Sequence, residues 1–459
     1  YDLQFGHLAL KPLWEKELGL KYKINYLQKA YTDIDSWSLN DLLFYLTSIK
    51  ILNPVSYFHA STHRSNYIYC PWSDANQDCY YRALDFVYDH KDQLLCHAVK
   101  THIERRGTGI HLAFFDCTNT WFETPYDDLT WRAIRYARYI RQSMLKQGMT
   151  NEEVNAYMDT EEYRTALQNA LELGQEEDLR MRGMSKEGRY AQPLISVALA
   201  VDEKGFPIDC RVFAGNVSEI HQVEPVLNSL QDKYKIDDFY FVADRGINGT
   251  EVLSKIQEKK IGFVVAQKIS QQKDDIKNEM LDLSGYKNYL PGDDGAFVAS
   301  DSAELVADAP RFKVCDFVKT ARVKEEGDPT TGKAKYRTIE VPCKIIYTFS
   351  PERRARDLAN LEQLKNKAAE AVAKGVLIGT TQSGWRSLVE TERTKATAIK
   401  KGRKAADKSE KENYRAIGLK DTLLSYSITL SLVLLSQYPL QMYLIHTTSW
   451  LVLRITSES

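Results

Sequence analysis

The chain has 459 residues, 43% of them hydrophobic and 27% charged, with a formal net charge of −1. That length holds roughly two to four domains with a sizeable core. The charge balance excludes a global attraction to polyanions, so any contact with nucleic acid has to come from local basic patches. The seven cysteines, at 70, 79, 96, 117, 210, 315 and 343, are scattered and form no Cys-x-x-Cys pair. They read as reduced thiols of a cytoplasmic protein rather than a disulfide framework or zinc site. No signal peptide is visible, and a start at Tyr1 is compatible with a missing N-terminus.

Residues 1–104 carry helix-period patterns. The apolar run Leu42-Leu43-Phe44-Tyr45-Leu46 follows the candidate caps Ser38 and Asn40, and Asp41 suits a first helical turn. A second helix is expected over Cys79–Leu95, with Arg82, Asp85 and His90 on its wet side. This region is either a DNA-binding unit or a helical support for the core.

A strand over about 108–116 ends on Asp116 (His111-Leu112-Ala113-Phe114-Phe115-Asp116), and Trp121-Phe122-Glu123 suggests a hairpin return. The stretch 127–180 is dense in Glu, Arg and Lys, which predicts two or three solvated helices inserted at the surface. Leu194–Val201 is a continuous apolar strand, Asp202-Glu203-Lys204-Gly205 makes a turn, and Pro207–Phe213 returns antiparallel. A helix over 219–233 leads to the strand Phe239-Tyr240-Phe241-Val242-Ala243-Asp244, and a helix over Gly249–Lys259 leads to a strand over Ile261–Ala266. The order predicts an α/β core over 105–269, a mixed sheet covered by helices. From 270 to 350 short charged strands predict a β-rich insertion. A basic helical segment is expected over 351–415, and 416–459 is an atypical tail.

Two apolar strands each ending on an aspartate are the chain's most informative feature. A carboxylate at the end of a buried strand is costly to desolvate without a metal or strong hydrogen-bond partner. If the two strands lie side by side, mutual repulsion of Asp116 and Asp244 makes a shared divalent cation the natural resolution.

Several segments resemble the DDE transposases of bacterial insertion sequences, in the insertion-sequence-four-like branch with a β-rich insertion before the third acid. They are Phe115-Asp116, Gly183-Met184-Ser185-Lys186-Glu187-Gly188-Arg189, Gly205-Phe206-Pro207-Ile208, Phe213-Ala214-Gly215-Asn216, Ala243-Asp244-Arg245-Gly246 and Phe349-Ser350-Pro351-Glu352-Arg353-Arg354-Ala355. The resemblance spans about 75–376. It implies a ribonuclease-H-like core in which two Asp and one Glu bind two divalent cations, Mg2+ or Mn2+. It also implies double-stranded DNA as partner, both transposon ends and target, a homodimer in the DNA complex, and a cytoplasmic, nucleoid-associated bacterial protein.

Carried over, Asp116 and Asp244 are the first and second acids, with turn-capping as the structural alternative. Lys186 and Arg189 are expected to clamp DNA phosphates, or else belong to a solvated loop. Asn216 is expected to reach the scissile phosphate or to stabilise a tight turn. Arg245 is expected to hold Asp244 or a phosphate. His111 and His221 read as structural.

The chain departs from the family at the third acid, expected on a helix as Tyr, two residues, Arg, three residues, Glu. No such segment occurs between 376 and 459, and Tyr336–Glu340 has the wrong spacing. The uncharged run Leu423–Ile445 can be read as a marginal membrane span, interrupted by Pro439. It fits a tail translated out of frame better. His446–Leu451 can be encoded by bases whose neighbouring frame spells Tyr-His-Gln-Leu-Val, and an AGR codon at Arg454 permits a Glu at the family's spacing. With two acids instead of three, a defective or truncated copy is expected. The alternatives are a non-catalytic DNA-binding remnant and a phosphohydrolase using Asp116 as nucleophile, though Thr118 stands where that loop needs a second Asp.

Overall fold

The computed structural model describes residues 4–69, 72, 75–107, 109–173, 178–185, 188–236, 239–267, 272–291, 297–299, 309–325, 335–375, 377–378, 384–394, 413–419, 430–436, 441–447 and 450–456. They divide into two compact units, Tyr1–Val264 with Ala321–Ile339 and Val265–Thr320 with Glu340–Ser459.

The first unit opens with α1 (His7–Pro12), α2 (Leu20–Tyr31), α3 (Leu39–Leu52), α4 (Tyr57–Thr62) and α5 (Gln77–Arg106). The Ser38 hydroxyl accepts the Asp41 N–H at the start of α3, as the sequence suggested. The apolar faces close on Ile24, Leu27, Leu42, Tyr45 and Tyr80, with Tyr45 stacked on Trp72 at 4.6 Å. α5 is longer than expected because Asn76 caps its first turn and Gly107, at φ 69°, stops it. Arg82 and Asp85 are exposed. His90 is not on the wet side: its ring stacks on Phe86 at 4.5 Å, and Nδ1 lies 3.0 Å from the Phe86 carbonyl.

The central sheet is built from β1 (Leu112–Trp121), β2 (Leu194–Val201), β3 (Pro207–Ala214), β4 (Tyr240–Ala243) and β5 (Gly262–Gln267), in the order β3-β2-β1-β4-β5. β1, β2 and β3 pair antiparallel, whereas β1 and β4 pair parallel. With α9 (Glu219–Asn228) and α10 (Thr250–Glu258) in the crossovers, this is the expected ribonuclease-H-like mixed sheet flanked by helices. One expectation fails. β1 does not end on Asp116, and no hairpin turn follows it, because Cys117–Trp121 continue the ladder opposite Ala198–Leu194 of β2.

Between β1 and β2 the charged stretch forms α6 (Asp128–Lys146), α7 (Asn151–Met158) and α8 (Glu161–Glu172). Asp127, Thr150 and Thr160 cap them, and Thr150 with Glu153 forms a capping box. Buried Val154 and Tyr163 form their small core, with Tyr136 and Tyr157 against Tyr163. Asp128 ties this bundle to the segment before β2. Its carboxylate accepts the backbone N–H groups of Leu179 and Arg180 at 3.0 and 2.7 Å and the Arg180 Nε at 2.6 Å.

That segment lies against the turn after β3 with no room to spare. A Cβ on Gly183 would sit 1.8 Å from the Gly215 carbonyl oxygen, and one on Gly215 would sit 2.1 Å from that of Leu194. Met181 and Leu194 exchange backbone hydrogen bonds across the same contact.

The second unit contains α11 (Asp274–Leu281), β6 (Lys287–Pro291), β7 (Phe297–Ala299), most of β8 (Arg311–Glu325) and β9 (Lys335–Phe349), whose 321–325 and 335–339 ends count with the first, α12 (Pro351–Ala373), β10 (Leu377–Ile378), β11 (Val389–Thr394), β12 (Asn413–Leu419), β13 (Leu430–Ser436), β14 (Gln441–Thr447) and β15 (Trp450–Thr456). Its main sheet runs β13-β9-β8-β6-β7, and smaller sheets run β10-β12-β11 and β14-β15. α11 falls inside the stretch read as strands only. Within the tail, Leu430–Ser436 pairs antiparallel with Cys343–Phe349. Among the described residues no helix is long and apolar enough to cross a membrane.

Replacing Gly215 by Ala is expected to cost about 1–3 kcal/mol, because two backbone oxygens cannot withdraw from the new methyl. Gly109→Ala, whose nearest neighbour would be a His111 atom at 4.0 Å, should be close to neutral. Urea midpoints of the two variants check this.

Burial opposes ionisation of Asp128, but the Arg180 and Leu179 N–H groups and the Arg180 guanidinium hold its carboxyl below 3.8. A depressed folded value means the stabilisation is present above the unfolded pKa and is lost as pH falls through the folded one. Asp128→Asn should therefore lower thermal stability at pH 7, and the gap to the parent should narrow below about pH 4.

Candidate metal centre and its surroundings

β1 alternates cleanly around the first candidate acid. Leu112, Ala113, Phe115 and Cys117 are buried, whereas Asp116 and Thr118 are exposed. On β4, Phe241 and Ala243 are buried and the following Asp244 is exposed. The parallel register pairs Leu112 with Tyr240 and continues to Phe115 with Ala243. The next residue on each strand is an aspartate. Both aspartates thus follow the last paired position of the parallel ladder, and both are exposed.

The physical reason for the pair's instability differs from the one the sequence suggested. Neither carboxylate is buried, so desolvation is not the main cost. For two exposed carboxylates the relevant cost is like-charge repulsion, which solvent weakens. The Asp116 Oδ1 accepts its neighbour's N–H, from Cys117 at 2.9 Å. After Asp244 the chain turns at once, with the Ile247 N–H on the Asp244 carbonyl at 3.1 Å.

Directly behind Asp116 lies a buried polar knot that sequence reasoning missed. Gln222 of α9 is fully buried, and its amide Nε2 donates to the Ser196 hydroxyl at 3.0 Å and to the Val217 carbonyl at 3.1 Å. The Cys117 thiol donates to the Gln222 Oε1 at 3.3 Å. One side chain thus joins β1, β2 and the turn after β3. Glu219, one helical turn earlier, also borders the site: its Oε2 lies 3.1 Å from where a Cβ on Gly246 would be. The signal available in the sequence was a polar residue on the inward side of an otherwise apolar helix face (Val223, Val226, Leu227).

Two adjacent exposed carboxylates supply hard oxygen ligands of the kind a divalent cation takes, though only part of a shell. Among the described residues, no group of three or more His, Cys, Asp or Glu could hold a metal ion. Glu340, the acid of the misspaced Tyr336 segment, lies on β9.

The expected phosphate contacts fare differently. Arg189 is engaged: its guanidinium lies over the Trp121 ring at 4.5 Å and pairs with Glu123 at 3.1 Å, and its N–H donates to the Ser185 hydroxyl at 3.1 Å. The Asn119 amide donates to the Met184 carbonyl at 2.9 Å, so the end of β1 holds this segment. Asn216 is exposed, on the turn that Gly183 and Gly215 pack together. Lys186 lies outside the described residues, as does the side chain of Arg245, whose backbone forms the turn Arg245–Ile247. The backbone carbonyl of His111 accepts the Tyr240 N–H at 2.8 Å, and His221 Nδ1 lies 2.9 Å from the Ser218 hydroxyl. The six described cysteines are free thiols.

No curated protein matches the chain. Residues 174–364 match the family model of the transposase DDE domain. The matched stretch takes in β2 to β5, Asp244 and α12 up to Leu364, and Asp116 precedes it on the strand that pairs with β4. With this match over the sheet that carries the paired aspartates, a DDE transposase family is supported for the chain.

Proposed function

We propose that the chain is an insertion-sequence transposase of the DDE type, which cleaves DNA at the element's ends and joins the 3′-hydroxyl to target DNA. The observation that supports this reading is the parallel register that ends with Phe115 opposite Ala243, each followed in the chain by an exposed aspartate. These two residues would hold Mg2+ or Mn2+. Two such ions, when bound, activate the attacking water or 3′-hydroxyl and stabilise the leaving oxygen. Lys186, Arg189, Asn216 and Arg245 would contact phosphates, and Arg189 would do so by exchanging Glu123 for the DNA. The working form would be a homodimer on duplex DNA in the bacterial cytoplasm, associated with the nucleoid.

No third acid is identified in this chain. Two carboxylates leave a metal short of a ligand, and misplacement of the reacting groups by about 1 Å costs orders of magnitude in rate. The chain as it stands therefore binds DNA without cutting it, the behaviour of a remnant that occupies transposon ends. The tail would then be an out-of-frame product.

Purified chain should shift a duplex carrying the element's ends and leave it uncut in Mg2+ or Mn2+. Binding of Mn2+, followed by electron paramagnetic resonance, should weaken at least ~10-fold in Asp116→Asn and in Asp244→Asn, because each removes a charged ligand from a hard cation. Unchanged Mn2+ affinity in both variants would sink the metal assignment, and metal-dependent nicking by the parent chain would sink the inactive reading. The out-of-frame tail has its own check in the nucleotide sequence: an AGR codon at Arg454 supports it, and a CGN codon removes the hidden Glu altogether.

A further inference from the structure

The helical bundle between β1 and β2 carries a surface that the paired aspartates do not explain. Arg135, Arg138, Tyr139, Gln142 and Lys146 of α6 are all exposed. At 3.6 residues per turn they fall within about 100° of the helix circumference, a single stripe about 16 Å long. The opposite side, with Ala133, Tyr136, Ala137, Ile140 and Met144, is half-buried. The other two arginines of the helix are occupied, Arg132 by Asp178 at 2.7 Å and Arg141 by Asn151 and Asn155. Among the described residues Arg135, Arg138 and Lys146 have no hydrogen-bond or ion-pair partner.

The helix itself offers them none. Its sequence, DLTWRAIRYARYIRQSMLK, holds one acid, Asp128, which is already bound to Arg180. A merely solvated helix of this charge density gains from acids placed three or four residues from its cations, and like charges at that spacing repel. Here Arg135 and Arg138 stand three residues apart with nothing to offset them. The acids of the bundle are segregated onto its other helices, where Glu152, Glu153, Asp159, Glu161 and Glu162 are exposed. An arginine pair, a lysine about two turns beyond the second arginine and an exposed tyrosine between them form a surface matched to a row of phosphates.

We infer that this α6 stripe is a docking surface for the phosphate backbone of double-stranded DNA, separate from the residues around the paired aspartates. The inference rests on the proposed function and adds to it a second, sequence-independent contact. It gives the chain, whose net charge is −1, a local patch through which a polyanion is attracted.

The test is the salt dependence of duplex binding by the full chain, measured by fluorescence anisotropy on a labelled non-specific duplex. Each phosphate contact removed lowers the slope of log K against log salt by about one unit. The triple variant R135Q/R138Q/K146Q is expected to lose about three units of slope and ~10-fold or more in affinity at moderate salt. Removing exposed cations elsewhere, in K204Q/K235Q/K260Q, is expected to leave the slope within one unit of the parent. Matching circular dichroism melts show that each variant is folded. A parent chain that binds no duplex overturns the proposed function and this inference together. A parent that binds, with the triple variant's slope unchanged, overturns this inference alone. If that unchanged slope comes with lost self-association in sedimentation, the stripe belongs to the acidic helices of a second copy.

Discussion

Parallel pairing of β1 with β4 is the contact on which the site depends. Antiparallel neighbours can be joined by a short turn, but a parallel pair needs a crossover, and here the chain spends the α6–α8 bundle, the β2–β3 hairpin and α9 between the two strands. The outcome is a register in which buried Phe115 and Ala243 match, and the next residue on each strand is an exposed aspartate. A sheet built for stability alone gains nothing from two carboxylates at adjacent positions on one face. The repulsion is tolerated because both groups remain in solvent, where it is weakest, and because the strands are fixed from behind.

That fixing is polar as well as apolar. Gln222 is bonded to Ser196 and Val217 and receives the Cys117 thiol, all in the interior. Losing a partner there would leave a buried amide unsatisfied, which costs about 1–3 kcal/mol. The same residue thus sets the height of β1 relative to β2 at the position of Asp116. In front, the segment 178–192 is held at both ends. Asp128 of the helical bundle binds Leu179 and Arg180, while Asn119, Trp121 and Glu123 at the end of β1 bind Met184 and Arg189. The bundle is therefore coupled through one segment to the strand that carries Asp116, rather than hung from the sheet by its two connections.

The central sheet was legible in the sequence because its strands are unbroken apolar runs and its turns carry their own chemistry. Leu194–Val201 has the expected bounds, and Asp202 forms the expected turn by accepting the Lys204 and Phe206 N–H groups. The end of β1 was not legible, since Cys117–Trp121 is polar and reads as a loop until β2 is known to lie beside it. Nor was α11, a short helix in a charged stretch whose pattern suits a turn equally well. At the site, the two aspartates announced themselves by ending apolar runs. Gln222 and Glu219 did not, because a polar residue on an amphipathic helix gives no hint of whether it faces inward until the helix is docked.

Under the proposed function, the remaining question is how a nearly neutral chain recognises a polyanion at a site that carries two exposed aspartates. The charges are partitioned by element rather than averaged. Several arginines of the segment before β2 are spent on the fold: Arg180 on Asp128, Arg182 on Asp127, Arg189 on Glu123. The outer stripe of α6 holds cations without such partners among the described residues, and exposed acids of the same bundle lie on α7 and α8. Under the proposed function, attraction to DNA and the placing of a phosphodiester at the aspartates are then carried by different parts of one unit. Attraction does not require the cation site to be complete, since counterion release depends only on how many phosphates are neutralised. Under the proposed function, a copy that lacks a third acid would be short of ligands for the metal, would keep those contacts and would lose only the chemistry.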